Sequence, residues 1–190
     1  MKLLLASKSP RRRELLSQLG LPIDYIDIDV DEHLTTLLPP AEVAEYLARR
    51  KADACPLERL ADGDVLVTAD TVVVHRGNIL GKPRNRENAI QILHELSGES
   101  HTVYTGVCLR SRTASDSFTE STLVHFNKLI DEDIIYYVDN YRPFDKAGAY
   151  GIQEWIGLVG VKAIEGCYYN VMGLPVATLY DRLRNKFLSN

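Results

Sequence analysis

Apolar positions along this chain follow two periods, and the two alternate from the first residues onward. Lys2–Ala6 is a compact apolar run that predicts a short buried strand. Pro10–Leu19 carries Leu15, Leu16 and Leu19 at helical spacing and stops at Gly20. Ile23–Val30 alternates apolar and acidic residues, the pattern of a half-exposed strand. Ala41–Ala54, after Pro39-Pro40, predicts a second helix, and Val65–Val74, rich in β-branched residues, a strand. The turn signal His75-Arg76-Gly77-Asn78 then leads into Ile79-Leu80. Arg86–Leu96 is amphipathic, with Ala89, Ile92, Leu93 and Leu96 on one face and Gly98 just past its end.

His101–Leu109 and Phe118–Phe126 read as paired strands around the polar loop Arg110–Asp116, the best candidate for a hinge or lobe tip. Asp131–Val138 reads as a short helix with Asp131 as N-cap. Leu158–Ile164 reads as a strand inside the glycine-rich stretch Gly148–Gly173, and Pro175–Phe187 as the closing helix. Strands and helices in alternation define an α/β class. No repeat, low-complexity segment or linker interrupts it.

Composition adds boundaries. At 190 residues the chain suits one domain, or two lobes sharing one cleft. Apolar runs such as Leu3–Ala6 and Val72–Val74 fall far below the roughly 20 residues that span a bilayer. The chain opens directly into a strand, so no signal peptide and no membrane partner are expected. Cys55, Cys108 and Cys167 form no CxxC pattern, which points to small apolar side chains in a reduced cytoplasm. The net charge of −4, without a basic stripe interleaved with aromatics, argues against nucleic-acid binding. It leaves a small anionic substrate open, because a local basic cluster can dominate a cleft. The histidines show no metal-ligand spacing, and no Ser-His-Asp triad is evident.

The basic cluster lies in Leu5-Ala6-Ser7-Lys8-Ser9-Pro10-Arg11-Arg12-Arg13, which runs from strand through loop into helix. A helix start offers unpaired N–H groups and a positive dipole end, and both attract anions. Ser9 suits the N-cap and Pro10 the first helical position. Ser7 and Ser9 add hydroxyls, and Arg11 and Arg12 can grip phosphate. The glycines of a Walker A loop or a dinucleotide fingerprint are absent. The competing reading is a capped helix with solvated arginines, and it is the better one for Arg13.

Other charges stand where the pattern wants apolar groups. Lys51 shares a helical face with Ala44 and Leu47; it either snorkels to water or serves a site. Asp70 interrupts the apolar strand Val65–Val74, and a carboxylate there is costly unless paired or bound to metal. It is either a structural hydrogen-bond acceptor or a functional carboxylate at a strand end, and the second reading is favoured. Gly81 and Pro83 fix the direction of Lys82. Asp31-Glu32 is either a solvated pair or, with Asp70, a set of oxygen ligands for a hard divalent cation. Lysines and arginines for phosphates, with carboxylates for metal and water, make a set suited to phosphoryl chemistry.

Seven segments together resemble the Maf-like nucleoside triphosphate pyrophosphatases. They are Ala6-Ser7-Lys8-Ser9-Pro10-Arg11-Arg12, Asp31-Glu32, Ala48-Arg49-Arg50-Lys51-Ala52, Ala69-Asp70-Thr71-Val72-Val73, Leu80-Gly81-Lys82-Pro83, Lys146–Gln153 and Asn170–Pro175. Each is weak alone; their order over nearly the whole chain is specific. The resemblance implies a two-lobed mixed α/β fold with a deep central cleft, related to the house-cleaning pyrophosphatases that remove noncanonical purine triphosphates. It implies a divalent cation, Mg or Mn, held by Glu32 and Asp70, and often a homodimer. Asp70 matches the family's general base, and Glu32, Lys51 and Lys82 its other active-site positions. Arg11, Thr71 and Gln153 match the branch acting on dTTP and UTP rather than the 7-methyl-GTP branch. Gln153 can donate to and accept from a pyrimidine edge, or it can simply tie its loop together. The alternative outside enzymology is a nucleotide-sensing regulator of septation.

Overall fold

The computed structural model describes residues 1–28, 30 and 38–187. The elements are β1 (Lys2–Leu5), α1 (Pro10–Ser17), β2 (Ile23–Tyr25), α2 (Pro40–Asp53), β3 (Asp64–His75), β4 (Asn78–Leu80) and α3 (Arg86–Leu96). They continue with β5 (Ser100–Arg110), β6 (Ser115–Phe126), α4 (Asp131–Tyr141), α5 (Trp155–Gly160), β7 (Val161–Glu165), α6 (Tyr168–Met172) and α7 (Val176–Lys186). The strands form one mixed sheet in the order β2-β1-β3-β5-β6-β7, with β4 paired to β3. The α/β class expected from the periodicity is the one observed.

The chain divides into two compact units. The first comprises Met1–Asp70, Thr105–Glu120 and Gly173–Asn190, the second Thr71–Tyr104 and Ser121–Met172. In the first, β1 pairs in parallel with both β2 and β3. Its core includes Leu4, Ala48, Ala52, Leu60, Leu66 and the free thiols Cys55 and Cys108, which pack as small apolar groups. Burial pushes both thiols above their usual pKa. In the second unit β4 and β7 pair antiparallel with β3 and β6. Leu93, Leu96, Phe126, Ile134, Tyr137 and Ile156 form part of its core. The loop expected at Arg110–Asp116 is shorter, because β5 and β6 extend to Arg110 and from Ser115. It lies within the first unit, and the chain crosses between units inside β5 and β6 instead.

Three expectations change. The strand expected over Ile23–Val30 spans only Ile23–Tyr25, since its partner β1 ends at Leu5, opposite Tyr25. Asp131 is the first helical residue rather than the cap, a place where a carboxylate still favours the helix dipole. The run Leu158–Ile164 splits into the end of α5 and the strand β7. Its apolar residues hide the break: Leu158 is 81% exposed, and extended backbone begins only at Val161, opposite Phe126 of β6.

His101, on β5, is 2% exposed. Its ring meets Phe126 and Tyr150 edge-on, and its Nε2 lies 2.7 Å from the Tyr150 hydroxyl. Its Nδ1 has no hydrogen-bond partner among the described residues. Burial first, and then the nearby His75 and His125, lower its pKa to about 3. The unfolded imidazole titrates near 6.5, so between these values the unfolded chain binds the extra proton. The stability is fully present above about pH 6.5 and drains away as the pH falls toward 3. By pH 5 the loss reaches about 2 kcal/mol. His101→Phe is therefore expected to lose about 2 kcal/mol less than the parent between pH 7 and pH 5, read by urea unfolding at both. Equal losses in the two proteins would place the titration elsewhere.

Candidate functional site

The first loop leaves β1 at its C-terminal end, where α/β sheets place ligands. Ser7 Oγ accepts the Ser9 amide at 3.2 Å, and Ser9 Oγ caps α1 by accepting the Arg12 amide at 3.4 Å. Each hydroxyl is thus oriented as an acceptor by backbone, and its O–H is the donor that a phosphate oxygen needs. Pro10 takes the first helical position, as expected. Arg13 does more than the solvated reading allows. Its Nε donates to the Ser7 carbonyl at 3.0 Å and its guanidinium lies over the Tyr25 ring, so it braces the loop. Arg12 donates Nε to the Gly173 carbonyl at 2.7 Å, which joins the first motif to the Gly173-Leu174-Pro175 turn before α7. Arg11, in the first turn of α1, is half-buried.

Further along the same end of the sheet, Lys51 Nζ lies 2.5 Å from Asp70 Oδ1. The side chains are 13% and 15% exposed, so Lys51 does not snorkel to water and Asp70 is not an isolated charge. Helix α2 is held where this pairing requires. Thr68 donates to the Ala48 carbonyl at 2.7 Å, and Arg110 to the Ala52 carbonyl at 2.8 Å. Ser117 and Thr119 both donate to the Glu45 carboxylate, at 2.6 and 3.0 Å. Gly106 of β5 lies directly under the helix: a Cβ there would sit 2.2 Å from the Glu45 amide nitrogen. The sequence reading missed Thr68, Gly106 and Glu45. A small residue and a buried hydroxyl in strands rich in larger apolar groups were the available signals.

The remaining candidates belong to the second unit. Thr71 continues β3 and is half-buried. Lys82 is exposed on the segment after β4, whose neighbour Gly81 accepts the Gly148 amide at 3.2 Å. Gln153 is exposed in a turn closed by the Glu154 amide donating to the Gly151 carbonyl at 3.0 Å. Glu32 and Asp31 lie outside the described residues. No group of three or more His, Cys, Asp or Glu capable of holding a metal occurs among the described residues. Asp70 is a hard oxygen donor with one oxygen on Lys51. That chemistry fits a magnesium-like cation, which takes one or two carboxylates and completes its shell with phosphate oxygens and water. It does not fit a zinc cage.

Residues 2–186 match the family model described as Maf-like protein. A dTTP/UTP pyrophosphatase of Bacteroides thetaiotaomicron is 51% identical over 186 residues, covering 96% of this chain and 95% of that protein. One from Porphyromonas gingivalis is 49% identical over 191 residues, covering 100% and 96%. The structure of the Staphylococcus aureus Ham1 protein aligns with a TM-score of 0.54 at 15% identity, covering 96% of this chain and all of that one, which supports the fold.

The close approach at Gly106 is directly testable. The Cβ of Gly106→Ala would meet backbone atoms of Ala44 and Glu45, which no side-chain rotation can clear. The variant is expected to lose about 1–3 kcal/mol, as overpacked sites do. Urea unfolding reads it, and trimming Ala44 to glycine in the same chain is expected to restore nothing. An unchanged midpoint would mean that α2 rides higher over β5.

Proposed function

Because this chain belongs to the Maf-like protein family, we propose that it hydrolyses dTTP and UTP to the monophosphate and pyrophosphate. The observation that carries this reading is identity of about half, over nearly the full length, to proteins named for that activity. The site chemistry supports it. Water attacks the α-phosphorus, the bond to the bridging oxygen breaks, and pyrophosphate leaves. Asp70 orients the water and takes its proton on the oxygen that Lys51 does not engage. Lys51 is aimed by α2, and with Lys82, Arg11 and Arg12 it neutralises the phosphates. The hydroxyls of Ser7 and Ser9 and the N-terminal amides of α1 bind phosphate oxygens. Glu32 and Asp70 are the residues that would hold a magnesium or manganese ion, which supplies charge neutralisation on the phosphates. Thr71 and Gln153 read the base. The free thiols Cys55 and Cys108 favour placing the reaction in a reduced cytoplasm.

Two measurements test this. Chromatography of the dTTP reaction is expected to show dTMP and pyrophosphate in equal amounts; dTDP with orthophosphate as the main products would refute the cut. Asp70→Asn keeps the shape and removes the base, so turnover is expected to fall by roughly 10²-fold or more with an unchanged circular dichroism spectrum. Near-normal turnover in that folded variant would remove Asp70 from the mechanism.

A further inference from the structure

Gln153 is displayed at the tip of a four-residue turn, Gly151-Ile152-Gln153-Glu154, and the turn is locked from beneath. Ile152 is 6% exposed and packs in the core of the second unit, so the residue before Gln153 is anchored. The Gly151 amide donates to the Tyr137 hydroxyl at 3.0 Å. That hydroxyl donates in turn to Glu154 Oε2. The Glu154 amide then returns to the Gly151 carbonyl at 3.0 Å, which closes a ring of hydrogen bonds around the turn. Lys146, only 7% exposed, lies 3.1 Å from the other Glu154 oxygen and 2.8 Å from Asp145. Glycine at 151 leaves room for this, since a Cβ there would sit 2.8 Å from the Glu154 carboxyl carbon and push that carboxylate aside.

Tyr137 is a fixed point rather than a flexible one. It is fully buried in α4 and stacked on Tyr141. Burial first, then the Glu154 carboxylate, hold its hydroxyl well above the ordinary tyrosine range, so it remains a proton donor at all working pH values. An exposed turn has no structural need for a buried tyrosine and lysine and a half-buried carboxylate beneath it. Ionised groups are expensive to bury, and such networks are found where a defined conformation matters.

We propose that Tyr137 and Glu154 are positioning residues that hold Gln153 in the conformation that reads the pyrimidine base. The proposal rests on the dTTP/UTP reading above. Tyr137 touches no substrate; it acts by fixing the Gly151 amide and the Glu154 carboxylate, and through them the backbone on either side of Gln153. An amide that must donate and accept at once loses discrimination when its backbone can rotate, because specificity is a difference between substrates.

The test is a double-mutant cycle on the full chain, with kcat/KM measured for dTTP, UTP, CTP and ATP. Gln153→Ala is expected to reduce the preference for dTTP and UTP over ATP by about 2- to 10-fold. Tyr137→Phe removes only the hydroxyl and is expected to reduce the same preference by a similar factor while changing ATP turnover little. Combined with Gln153→Ala it adds nothing further, since it acts through that side chain. Glu154→Gln keeps an acceptor for Tyr137 and retains most of the preference, whereas Glu154→Ala loses it; this pair decides the matter if Tyr137→Phe folds poorly. Equal slowing of all four substrates, or effects of Tyr137→Phe and Gln153→Ala that multiply, would show a merely structural role and overturn the proposal. If Gln153→Ala leaves the preference unchanged, the proposal falls while the pyrophosphatase reading stands. If the parent protein does not turn over dTTP or UTP, that reading is what has failed.

Discussion

The ion pair between Lys51 and Asp70 is the constraint around which the first unit is arranged. Both charges are largely withdrawn from water, and their pairing at 2.5 Å offsets the cost of that burial. Lysine is long and flexible, so the pair requires its helix to be fixed close to β3. Three strands supply that. Thr68 on β3 holds Ala48, Arg110 on β5 holds Ala52, and Ser117 and Thr119 on β6 hold Glu45. Gly106 removes the one Cβ that would keep helix and sheet apart. An arrangement of this kind leaves little adjustable slack, which suits the role of general base proposed for Asp70.

The first loop follows the same logic with backbone instead of charge. Ser7 and Ser9 spend their oxygens on amides of the loop and of α1, and Arg13 spends its Nε on the Ser7 carbonyl. The loop is therefore organised without glycine, unlike the glycine-rich phosphate loops of other folds. Arginine appears in two roles within three residues, as a brace at Arg13 and as a tie to Gly173 at Arg12. Counting the arginines as one basic cluster hides this division of labour.

Buried charges recur as fasteners elsewhere. Asp116, on β6, receives Arg182 and Lys186 from α7, and these partners outweigh burial in holding its carboxyl below the usual range. Lys146 lies between Asp145 and Glu154 beneath the Gln153 turn. In each case a segment is held by a specific pair, which fixes register in a way that interchangeable apolar contacts do not.

Periodicity and turn chemistry by themselves determined the element order, most boundaries, the cap at Ser9 and the α/β class. These depend on interactions within a few residues, so they are written locally: an N-cap serine, a proline at the first helical position, a β-branched run, an Arg76-Gly77 turn with both residues at positive φ. The sequence also marked Lys51 and Asp70 as charges out of place, and the ordered motifs marked Lys82 and Gln153. The tertiary structure alone decided how Lys51 and Asp70 are paired. That Lys51 meets Asp70 depends on helix α2 lying on β3, and that α2 can lie there depends on Gly106, some fifty residues away along the chain. The short β2 and the divided Leu158–Ile164 run were settled the same way, by which strand lies alongside. The ring joining Tyr137, Gly151 and Glu154 is legible only in three dimensions, because a hydrogen bond needs two partners and a sequence shows them one at a time.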